Sequence, residues 1–170
     1  MAESVADVAV ALADGIEAAL PRWVERSVDT LVTLYTGAPP SDEVAAAARE
    51  AGRQAQADLG PRVRAVLEAD VDDQRTTPLA ILREAVRYPA AVLRAAGVPG
   101  VERDRFAEDA FPDDDYDLTP ATFADLDPAL ADAGLAWGAA KAWEHRRRRA
   151  ERAGPERPGR RPGAGSGHRS

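Results

Sequence analysis

The apolar residues of this chain recur with one period. Val5, Val8, Leu12, Ile16, Ala19 and Trp23 follow one another at steps of three and four, and Val24, Val28, Leu31, Val32 and Tyr35 continue the pattern. Such spacing lines one side of a helix, and no window alternates at every second residue strongly enough to make a strand. The fold class this dictates is all-α. We expect a small irregular bundle of about six to seven helices over residues 1–150, followed by a disordered tail rich in Arg, Gly and Pro over residues 151–170.

Proline and glycine set the expected boundaries. Pro21 has no N–H to give, so a kink is expected there, or a break with Pro21 opening the next helix. Gly37-Ala38-Pro39-Pro40 ends that stretch, and Ser41 is placed to cap the next, with Asp42 and Glu43 in its first turn. Residues 42–59 carry a thin stripe of Val44, Ala48, Ala51, Ala55 and Leu59, which predicts high helix propensity with little burial. Gly60-Pro61 is expected to restart a short helix with Val63, Val66 and Leu67 inward, ahead of a polar junction at Asp70-Val71-Asp72-Asp73.

Thr77-Pro78 is a start signal, a capping hydroxyl followed by proline at the first helical position. The helix it opens should bury Leu79, Leu82, Val86 and Leu93, with a kink at Pro89 as Tyr88 is pushed away from helical angles. Gly97-Val98-Pro99-Gly100 stops it, and a short helix over 101–110 and a loop over 112–117 follow. Thr119-Pro120 and Asp127-Pro128 repeat the start signal. The last helix is expected over about 128–150, with Leu130, Ala133, Trp137 and Ala140 on one face. Trp137 and Trp143 leave that helix about 120° apart, so one should pack inward while the other faces a second element or a partner. Gly134 and Gly138 would let a neighbouring helix come close.

Charge is divided along the chain. Residues 1–144 hold 13 basic and 27 acidic side chains, net −14, whereas residues 145–170 hold nine arginines against Glu151 and Glu156, net +7. Such a polymer either pairs its ends or presents one of them to a charged partner. Arginine supplies 21 of the 22 basic residues, a bias consistent with GC-rich codons, but that bias does not account for their position at one end.

Several chemistries lack their residues. Cysteine is absent, which removes disulfides and thiolate metal sites and fits a reducing compartment. No apolar run approaches the roughly 20 residues that cross a bilayer. Glu3 and Asp7 stand where a secretory signal would be basic, so a cytoplasmic protein with no membrane contact is expected. No G-x-S-x-G elbow or phosphate-cradling glycine loop is present, and neither His145 nor His168 has a partner at zinc-site spacing. No cofactor, catalytic residue or resident metal is therefore expected.

Three constellations remain. Asp113, Asp114, Asp115 and Asp117 could offer oxygens to a hard cation, but against the EF-hand pattern Leu118 replaces the required glycine and Ala124 the closing glutamate. A solvated loop is the favoured reading. Arg83, Arg87 and Arg94 fall within about 40° of one another around a helix and could grip phosphate or carboxylate. In so acidic a body they are expected instead to pair with its own carboxylates, the 113–117 loop among them. Arg146, Arg147, Arg148 and Arg149 complement the negative end of the last helix, with Arg148 able to pair with Glu144 and Arg147 with Glu151.

The function expected from this pattern is a non-enzymatic interaction or accessory module that meets a protein partner through its basic end. One alternative is a nucleic-acid-associated accessory protein binding through the arginine-rich tail, although that tail lacks aromatic residues to stack on bases. The other is a metal-assisted enzyme built on the Asp113–Asp117 loop.

Overall fold

The computed structural model describes residues 4–69 and 77–154. The disorder expected for the tail and the polar junction at residues 70–73 lie outside them, apart from residues 151–154. Within them every regular element is helical: α1 (Val5–Thr36), α2 (Asp42–Glu68), α3 (Pro78–Leu82), a 3-10 turn (Arg83–Val86), α4 (Arg87–Ala95), α5 (Arg105–Ala110), a second 3-10 turn (Phe123–Asp125) and α6 (Leu130–Ala153). Because α3, the first 3-10 turn and α4 run on without interruption, five helical bodies stand where six to seven were expected. None is long and apolar enough to cross a membrane, among the described residues.

The overcount comes from two prolines that do not break their helices. α1 runs through Pro21 for 32 residues, about 48 Å at 1.5 Å per residue. A helical proline orphans the carbonyl four residues earlier. In α1 that is Glu17, whose oxygen accepts from the Gln56 side chain of α2 at 2.8 Å. α2 likewise runs through Pro61, and the carbonyl freed there belongs to exposed Ala57, where water can serve it. Pro89 ends differently. Tyr88 stays helical, because the 3-10 turn resets the helix so that Pro89 becomes the third residue of α4, within the first turn, where no intrahelical N–H bond is made.

α1 and α2 form the broadest contact, with α3 and α4 on α2 and with α6 on α1. The alanine stripe of α2 proves to be the tightest seam: Ala48, Ala51, Ala55 and Leu59 are all buried, and Gly52 sits so close to α1 that a Cβ there would lie 2.9 Å from Pro21 Cα. Leu12, Ile16, Leu20, Val24 and Val28 of α1 meet Leu59, Val63 and Leu67 of α2 and Leu82 and Leu93 of the 78–95 run in one core.

Caps follow the expected chemistry at most starts. Ser41 Oγ accepts from Val44 N at 3.3 Å and Thr77 Oγ1 from Ala80 N at 3.2 Å. Asp127 Oδ1 accepts from Ala129 N at 3.0 Å just ahead of α6. Thr119-Pro120 starts nothing: the Thr119 hydroxyl is buried and caps no backbone N–H among the described residues, and the 3-10 turn begins after Thr122 instead. Gly134 admits no neighbouring helix: the Phe123 ring fills the space, 2.5 Å from where a Cβ would stand, and Gly138 faces open space. Trp137 turns inward, its ring meeting Phe123 edge-to-face at 6.4 Å.

Candidate functional site

The outer side of the 83–95 run carries the three arginines, all exposed, and the loop after α5 comes up beside them. Their fates differ. Arg94 forks onto Asp115, with Nη2–Oδ1 at 2.6 Å and Nε–Oδ2 at 3.2 Å, and its Nη2 also reaches the Asp113 carbonyl at 3.3 Å. Two parallel bonds between guanidinium and carboxylate fix orientation as well as distance. Arg87 bonds Glu84 at 3.4 Å, one turn back in the same helical run. Glu84 is already held by both Nη atoms of Arg62, at 2.7 and 2.9 Å. Arg83 makes no ion pair among the described residues. Arg83 and Arg87 line a groove of about 240 Å³ with Phe111, Asp113 and Asp114 opposite, so the arginine row and the acidic loop do meet.

The acidic loop is built from the inside. Asp114 is 6 % exposed, and its carboxylate accepts the backbone N–H groups of Leu118 and, at 2.7 Å, Thr119. Tyr116 is buried and donates its hydroxyl to the Val98 carbonyl at 2.7 Å, while Val101 N–H bonds the Asp115 carbonyl at 2.7 Å. A Cβ at Gly100 would lie 2.7 Å from that same carbonyl, so this approach requires glycine. Asp117 takes a left-handed φ of 59°, which aspartate tolerates better than most residues. Burial pushes the Asp115 carboxyl up, but the Arg94 bond, a backbone bond and the charges of Arg94 and Arg103 outweigh it and hold it below the ordinary range.

The four aspartates therefore diverge: Asp114 points into the protein, Asp115 to Arg94, and Asp113 and Asp117 are exposed. No three acidic or imidazole groups come together to hold a metal, among the described residues. A second groove, about 560 Å³ between α2 and α4, contains Tyr88 and Asp58 joined by a 2.7 Å hydrogen bond. Burial, then that bond, pushes the Tyr88 phenol up to about 12, so it stays protonated at neutral pH.

The third candidate set sits on the last helix. Ala133, Trp137, Ala140, Lys141, Glu144 and Arg148 are half-buried on one side of α6, and only Leu130 is fully buried. Within the helix Glu144 takes bonds from Arg147 at 2.6 Å and Arg148 at 3.0 Å, and Arg147 also pairs with Glu151. The bonds from Arg147 and Arg148 hold the Glu144 carboxyl low. Arg146 and Arg149 make no ion pair among the described residues, and both are exposed.

At 100° per residue, Leu135, Ala139, Ala142, Trp143, Arg146 and Arg149 fall within an arc of about 120° centred opposite the packed side. Leu135 is 73 % exposed and Trp143 60 %. Sequence reasoning gave Trp143 a possible outward role but passed over Leu135. It also passed over Phe106, which is 80 % exposed on α5. A signal for Phe106 existed, since of the positions three and four residues away, Glu102, Arg103 and Asp109 are charged and Ala110 is small, so its ring has little to pack on.

Comparison with protein-family models, with curated proteins and with solved structures finds no match to this chain.

Proposed function

We propose that this chain is a non-enzymatic helical interaction protein of the cytoplasm, and that the C-terminal half of α6 is the element that docks an acidic protein partner. The observation that carries the proposal is the outward stripe of α6, where exposed Trp143 stands beside Arg146 and Arg149, with exposed Leu135 on the same face about two turns before the tryptophan. Exposed aromatic and arginine side chains are the residue types that dominate binding energy at protein interfaces. The helix is held at its other end, by Leu130 in the core and by Arg26 bonding the Leu126 carbonyl at 3.0 Å, so the stripe is presented on a fixed support. The lack of cysteine supports a reducing compartment.

Titration of the full chain, diluted until it sediments as a monomer, with polyglutamate and separately with duplex DNA, tests the proposal through tryptophan emission. Polyglutamate should shift the emission to the blue at low salt and lose its effect at high salt, and W143F should remove most of the response. No response to polyglutamate at low salt would contradict the proposal. A response to DNA alone would favour the nucleic-acid reading instead.

A further inference from the structure

The segment 101–117 mirrors the α6 stripe in charge and matches it in apolar character. It carries eight carboxylates against Arg103 and Arg105; Asp114 is buried and Asp115 is held by Arg94, which leaves six at the surface, and Arg103 is committed to the carbonyls of Ala107 and Phe111, at 3.2 and 2.7 Å. Val101, Phe106 and Phe111 are exposed among those acids, and α5 itself has no buried residue. Residues 143–153 of α6 carry five arginines against Glu144 and Glu151, beside Trp143. One patch is acidic and presents phenylalanine; the other is basic and presents tryptophan. Within one copy both face outward, because α6 is seated on α1 and on the Phe123–Asp125 turn.

We propose that the α6 stripe docks on the 101–117 patch of a second copy of this chain, reciprocally, in a two-fold dimer. This rests on α6 being a docking element and names its acidic partner. Two patches that complement each other but not themselves bury both surfaces twice when two copies exchange them about a two-fold axis. The opposite charges set the register, and the aromatic rings supply the desolvated centre.

Sedimentation velocity on the full chain, over a concentration series at about 50 mM and about 500 mM NaCl, tests this. The dimer should dominate at low salt and fall apart at high salt. F106S and W143S, both at exposed positions, should keep the helical circular dichroism of the parent and each weaken dimerisation by about 30-fold or more. Mixing the two variants should recover part of the dimer, since the mixed pair keeps one of its two contacts intact. A chain that stays monomeric at low salt, a dimer unaffected by either substitution, or a mixture no better than the variants alone would overturn the proposal. Polyglutamate binding by a strictly monomeric chain would sink the dimer and leave the docking role of α6 standing. Failure of both would sink both.

Discussion

Gln56 donates its side-chain amide to the Glu17 carbonyl at 2.8 Å, the one acceptor that Pro21 strips of its helical partner. An unserved carbonyl at a helix–helix seam carries a desolvation cost, so the bond matters more than a surface hydrogen bond would. Q56A should cost about 1–3 kcal/mol in chemical denaturation. In a P21A background, where the new alanine N–H can serve Glu17, the same substitution should cost less. A double-mutant cycle reads the coupling directly.

Gly52 and Gly138 should respond to alanine with opposite signs. At Gly52 a Cβ would lie 2.9 Å from Pro21 Cα and 3.0 Å from the Pro21 carbonyl oxygen, and neither backbone can yield cheaply. G52A should therefore destabilise by about 1–3 kcal/mol. Gly138 faces open space in the middle of α6, so G138A should stabilise by about 0.5–1 kcal/mol through helix propensity alone. Urea midpoints of the two variants check the pair.

These contacts show where the sequence was legible. The period named the buried face of α1 from Val8 to Val32, but Tyr35, expected on the same face, is exposed because nothing packs on the last turn; Ser41 and Thr77 marked true helix starts. Helix count failed at Pro21 and Pro61, because whether a proline breaks a helix depends on what serves the freed carbonyl. That partner, Gln56, lies 39 residues away and has no local signature. The pairing of Arg94 with the acidic loop was foreseeable from charge, as were the Glu144–Arg148 and Arg147–Glu151 pairs from spacing. The inward turn of Asp114 was not, because nothing in a run of three aspartates says which one will cap the backbone.

That run can be separated by mutation. Asp114 serves two backbone N–H groups from a buried position, while the Asp113 side chain is exposed. D114A should cost about 2–3 kcal/mol, as expected for charged acceptors left out of a buried turn. D113A should stay within about 0.5 kcal/mol of the parent. Thermal denaturation of both variants measures the contrast.

Acid should loosen the join between the loop and α4. The Asp115 carboxyl is held below its ordinary value in the folded chain, so the unfolded chain binds its proton more readily. The stabilisation is complete above about pH 4 and disappears as pH falls through the lowered folded value. D115N, which keeps the shape and removes the titration, should flatten the acid limb of a melting-temperature profile recorded below pH 5 and leave a lower plateau at neutral pH.

The most direct measurement of the central claim compares polyglutamate affinity of the parent with that of R146A/R149A at low salt, each diluted until it sediments as a monomer. Both proteins keep the Arg147 and Arg148 pairs to Glu144, and both keep every arginine beyond residue 154. If the outward face of α6 does the docking, the double variant should bind about tenfold more weakly or worse. Equal affinity in the two proteins would contradict the account.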